Sequence, residues 1–78
     1  MELAFLDKTC VGATSGLNLF LQISLDACYI ECWYNSNCDY IEFNANLERC
    51  ILWQGTCTEG GDLIENEVYK VIPCNLLL

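Results

Sequence analysis

A chain of 78 residues has room for one domain, and a domain this small draws only about 3 to 5 kcal/mol from its core unless disulfides, a metal or further subunits help. Eleven acidic residues against three basic ones give a net charge of −8, which repels nucleic-acid phosphates and anionic lipid. Asp, Glu, Asn or Gln interrupts every apolar stretch before the roughly 18 residues that a membrane span requires, and the absence of histidine removes Ser-His and Cys-His nucleophile pairs and His-containing zinc sites.

The first segment, Met1 to Lys8, is neither basic nor apolar for long enough to be a secretory leader, so the sequence reads as a mature product or a piece of a longer chain. Its run Leu3-Ala4-Phe5-Leu6, like Leu76-Leu77-Leu78 at the other end, is costly to leave in water; Phe5, Leu6, Leu76 and Leu77 are therefore candidate assembly contacts. Next, Leu17, Leu19, Leu21 and Ile23 alternate with Asn18 and Gln22, the pattern of a half-buried strand. Ser24 follows as a helix N-cap with Asp26 in the first turn, and a helix is expected over about 25–34. On it Leu25, Cys28, Tyr29, Cys32 and Trp33 recur at spacings of three and four, forming an apolar stripe.

Asn35-Ser36-Asn37 ends the helix, and Cys38 to Phe43 resumes strand alternation. Asn44 to Arg49 reads as a hairpin loop and Cys50 to Trp53 as the strand that pairs back. Gln54 to Asp62, with Gly55, Gly60 and Gly61 among threonine and acidic residues, has the composition of a surface loop. Glu67 to Ile72 is strand-like until Pro73, and Cys74 and a short tail close the chain. This order predicts an α+β fold, with one helix on an antiparallel sheet.

Seven cysteines, Cys10, Cys28, Cys32, Cys38, Cys50, Cys57 and Cys74, give the composition of a secreted disulfide scaffold, so a secreted or cell-surface location is expected. Their count admits on the order of a hundred three-bridge pairings, and spacing does not choose among them. Cys28 and Cys32 lie on adjacent turns of one helical face, poorly placed to bridge each other, so each looks outward for a partner.

From Ser24-Leu25-Asp26-Ala27-Cys28 through Cys32, Cys38, Tyr40, Phe43 and Cys50-Ile51-Leu52, the sequence resembles the PAN/apple family, and the resemblance extends from Cys10 to Cys74. It implies a single small disulfide-rich domain over 1–78, its core within 10–74, with a helix cradled by a curved antiparallel sheet. It also implies bridges Cys28 to Cys50, Cys32 to Cys38 and Cys10 to Cys74. Cys57 departs from the six-cysteine pattern and leaves three readings open: a bridge to another chain, an intrachain partner that releases Cys10 or Cys74, or a free thiol.

Among residues that could carry chemistry, a four-cysteine zinc site competes with oxidation of the same thiols and is not expected. Glu59, Asp62, Glu65 and Glu67 lack the spacing of a calcium loop and read as a solvated acidic edge. No Asn-x-Ser/Thr sequon occurs. Of the aromatics, most belong to the core; Trp53, at a strand end, and Tyr34, at the helix end, are the candidate ligand contacts. With 54% of residues apolar, part of the surface is expected to meet a partner. The expected function is non-enzymatic and extracellular, without cofactor or metal. It is association with other protein subunits, as a homo-oligomer or polymer in a filament or adhesive structure; the alternative is carbohydrate binding by an adhesin-like domain.

Overall fold

A computed structural model describes residues 1–72. In chain order the elements are β1 (Glu2–Val11), β2 (Ser15–Leu21), α1 (Leu25–Trp33), β3 (Tyr40–Asn44), β4 (Arg49–Gln54) and β5 (Thr58–Lys70). All five strands join one antiparallel sheet in the order β1-β5-β3-β4-β2.

The helix begins where its sequence says it should. Ser24 adopts extended backbone and its Oγ accepts from the Ala27 N–H at 3.2 Å, while Asp26 meets the positive end of the helix dipole. It stops at Tyr34, beyond which the Asn35 side chain accepts from the Asn37 N–H at 3.0 Å in a local turn. Nine residues are too few for a helix to be stable in isolation. Here the helix is tied down by two bridges, Cys28–Cys50 to β4 and Cys32–Cys38 to the segment leading into β3. Cys28 and Cys32 are buried against Ile41, Phe43, Cys50 and Leu52 of the sheet, and Leu17, Phe20, Ile23 and Tyr69 close the sides of this core.

The opposite face of the sheet holds a second, smaller core. Val68 lies beneath the Cys10–Cys57 bridge, with Phe5, Ala13, Tyr40 and Trp53 around them. Thus the expected bridge from Cys10 to Cys74 is corrected: Cys10 takes Cys57, because the β1–β5 ladder sets Cys10 opposite Glu59, close to Cys57, with the two Cα atoms 5.0 Å apart. Of the readings left open for Cys57, the structure realises an intrachain bridge that releases Cys74. Cys74, Leu76 and Leu77 lie outside the described residues.

The expected α+β fold, with a curved sheet cradling the helix, is corrected as well. Over the described residues the chain is mostly β, 57% strand against 12% helix. Two segments account for the difference. Leu3-Ala4-Phe5-Leu6, expected as a sticky end, lies in the first half of β1, whose ladder to β5 shifts register three times and so loses a clean alternation. Gln54 to Asp62, expected as a loop, contributes the first part of β5. Gly60 is there because β1 comes too close for a side chain: a Cβ would run into the Thr9 side chain and lie 2.8 Å from the Thr9 carbonyl oxygen.

A third correction concerns β2. Leu19 and Leu21, expected on the buried face with Leu17 and Ile23, are 58% and 66% exposed, and Phe20 packs on the core in their place. The register shift between Gly16 and Asn18 is the cause, since one extra residue exchanges the two faces of a strand.

Candidate functional site

The core-facing stripe of α1 is set by Cys28 and Cys32, one turn apart. Each helical residue advances about 100°, so Tyr29 and Trp33, next in sequence after each cysteine, rotate toward the helix flank. Ile30 is carried to the outer side and Tyr34 to the C-terminal end. Ile30 is accordingly half exposed, Trp33 is 46% exposed and Tyr34 is 84% exposed; together with Tyr29 they line one shallow apolar depression. The Trp33 Nε1–H donates to the Tyr29 hydroxyl at 2.9 Å, which fixes the indole against its neighbour. Because Cys28 and Cys32, immediately before the two aromatics, are both bridged, the backbone beneath this surface is held at two points one turn apart.

Trp53 and Tyr34 are therefore not brought together. They lie on opposite faces of the sheet, Trp53 beside the second core and Tyr34 at the end of the helix. Trp53 is half-buried and its polar edge is used internally: Nε1–H donates to Glu42 Oε1 at 3.0 Å. The other carboxylate oxygen of Glu42 accepts from Asn66 Nδ2 at 2.9 Å, and Asn66 Nδ2 also donates to the Lys8 carbonyl at 2.7 Å. Asn44 Nδ2 donates to Asn66 Oδ1 and to the Ile64 carbonyl, and its own Oδ1 accepts from the Leu47 N–H. Glu42, Asn44 and Asn66 are all buried, and among the described residues no buried side-chain polar atom lacks a partner. Sequence alternation marks Glu42 and Asn44 as outward-facing; what it cannot reveal is that Asn66, itself bonded to the Lys8 carbonyl of β1, meets both of them on that face.

Phe5 is half-buried in the second core and Leu6 is 56% exposed. Cys57 is buried in its bridge to Cys10. The acidic group does not gather: Asp62 is paired with Lys8, Glu59 lies 3.8 Å from the same ammonium, and among the described residues no three His, Cys, Asp or Glu side chains converge as a metal site. The hydrogen bond and charge of Asp62 raise the Lys8 pKa, and Lys8 lowers that of Asp62. Ile30 and Trp33 are the surface residues that sequence reasoning missed, Trp33 having been placed on the core stripe. The 100° step from Cys32 is the signal that separates them.

Compared with protein-family models, with curated proteins and with solved structures, the chain matches none. Fold and bridges define a small disulfide-rich, mostly-β protein with one short helix. Three disulfides are typical of extracellular or secreted proteins, where oxidising conditions keep thiols paired. Among the described residues no helix is long and apolar enough to cross a membrane.

Proposed function

We propose that the protein is a non-catalytic, secreted or cell-surface recognition module that associates with other protein chains, in the manner of a subunit of a filament or adhesive structure. The observation that carries this reading is the Tyr29–Ile30–Trp33–Tyr34 surface. An exposed indole already held in place, as Trp33 is by Tyr29, binds with little further loss of side-chain entropy, and Trp and Tyr dominate protein interfaces energetically. The resemblance of Ser24 to Leu52 to the PAN/apple family, whose domains serve recognition, supports it too. Absence of histidine from the sequence, and the use of six cysteines as bridges, leave little with which to build a nucleophile. Cys57 is bridged within the chain, so the covalent link to another chain, one of the three readings open for it, is not needed for this association.

Carbohydrate binding is the weaker reading, because sugar sites combine an aromatic face with amides or carboxylates for the hydroxyls, and none lines this depression. The test is sedimentation velocity of the oxidised chain over a wide concentration range. Association into species larger than a dimer is expected, and Trp33→Ala/Tyr34→Ala should weaken it at least tenfold with little change in melting temperature. Association that ignores both substitutions, or a monomer at every concentration that binds immobilised saccharides through Trp33 and Tyr34, would overturn the reading.

A further inference from the structure

The two edges of the sheet meet solvent differently. β1 carries Glu2, Asp7 and Lys8, its ladder shifts register after Leu3, Leu6 and Lys8, and Asp7 has a left-handed backbone with φ 59°. Charges and bulges of this kind are what keeps an edge from pairing with another chain. β2 has almost none of these devices. Among the described residues Ser15–Leu21 pairs only with β4, shifts register once, near its start, and contains neither charge nor proline. It also exposes Leu19 and Leu21.

The distribution of charge selects the occupant. No residue from Thr9 to Leu25 is charged, although the whole chain carries −8. Two copies of so acidic a chain repel each other across most surfaces, and least along a seam that bears no charge. A basic partner would find no carboxylate on this strand to recognise. We infer that β2 is the seam of a homodimer, in which two copies add their β2 strands antiparallel about a two-fold axis and continue one sheet across both chains. The inference rests on the association reading above and names a second surface for it.

Backbone hydrogen bonding along the free edge supplies the pairing, and side chains set its register. Centred on Leu19, the arrangement places Leu19 opposite its own copy and Asn18 opposite Phe20, so like faces meet from Asn18 to Phe20, beyond the register shift; a slip of one residue would set exposed leucines against the core-facing Phe20. Leu19 is also the cross-strand neighbour of Ile51 and shares a shallow depression with Ile51 and Trp53. Leucine contacts therefore extend an apolar strip that already exists. Seven residues per strand bury less than a standard interface, so the dimer is expected to be weak, in the micromolar range or above. An isologous seam on β2 and a separate surface on α1 would together give an open assembly, and the seam alone gives a closed dimer.

The experiment uses the full oxidised chain with Cys74→Ser, which removes any bridge between chains through that thiol, followed by sedimentation velocity against concentration. A reversible dimer is expected. Leu19→Lys and Leu21→Lys, each at an exposed position and checked for native near-ultraviolet circular dichroism, should each raise the dissociation constant at least tenfold. Leu3→Lys on the other edge should not change it, and Trp33→Ala/Tyr34→Ala should keep the dimer while losing larger species. A dimer indifferent to both β2 lysines would overturn the seam and leave the association reading standing. A Cys74→Ser chain that stays monomeric at millimolar concentration would overturn the seam together with non-covalent self-association.

Discussion

Beneath α1 the sheet is apolar: Ile41, Phe43, Cys50 and Leu52 meet Cys28 and Cys32, and the helix is stapled twice over sequence separations of 22 and 6. Across the sheet Val68 and Phe5 share their space with Glu42, Asn44 and Asn66, and the bridge there spans 47 residues. The helix side is stabilised by buried apolar area and short bridges. The other side depends on every polar atom finding its partner and on one long-range closure that holds β1 down. The two sides should therefore fail differently, and the aromatic surface of α1 belongs to the side that fails last.

The largest effects come from the bridges. Cys28→Ala/Cys50→Ala opens a loop worth about 3.4 kcal/mol in the chain-entropy model and also removes two fully buried groups, for a total loss of about 4 to 5 kcal/mol and cooperative unfolding. Cys10→Ala/Cys57→Ala should cost at most about 4 kcal/mol on the same model. In that variant hydrogen exchange should speed first in β1 and the start of β5, while α1 stays protected. Equal loss of protection across both faces would show that they form one cooperative unit and would break the comparison.

Next in size is Asn66→Ala. It deprives Glu42 of one of its two donors and leaves the Lys8 carbonyl and the Asn44 amide short of a partner, at a cost of about 3 kcal/mol in urea denaturation. A loss below about 1 kcal/mol would mean that water replaces the amide freely and that this side is not sealed.

The smallest effect is that of pH on the β1–β5 arm. Lys8 has its pKa raised by Asp62, so its contribution is complete below the ordinary lysine range and is lost as pH rises through the folded value. Tyr69 is raised by burial and by Glu67, so above about pH 10 the unfolded chain ionises first and stability falls in the same direction. Asp62 is lowered by Lys8; its contribution is present above the carboxylate range and is lost as pH falls through the folded value. The Lys8–Asp62 pair is exposed, so shallow declines in melting temperature are expected at both ends of the range. A melting temperature that rises past pH 10 would contradict the assignment.

The legibility of the sequence follows the same division. Ser24, the spacing of Cys28 and Cys32 and the turn residues at 35–37 and 44–49 act locally, so α1, β3 and β4 could be read within a few residues of their bounds. Much of the other side depends on contacts between distant residues. Nothing near Cys10 announces Cys57, the bulges of β1 erase its period, and Gly60 and Gly61 look like a loop until β1 is seen to press on Gly60. The exposed Leu19 and Leu21 were hidden by one inserted residue near Gly16, and Glu42 by a cover that only the complete sheet supplies. Tyr34 was found because a helix end is exposed whatever packs beneath it.

Association through β2 and α1 can be followed in the backbone amide resonances of the oxidised Cys74→Ser chain as its concentration is raised. Concentration-dependent shifts confined to Leu17 to Leu21 of β2 and to Ile30 to Tyr34 are expected, with the β1 edge unchanged. Shifts concentrated on β1, or none at any concentration, would contradict it.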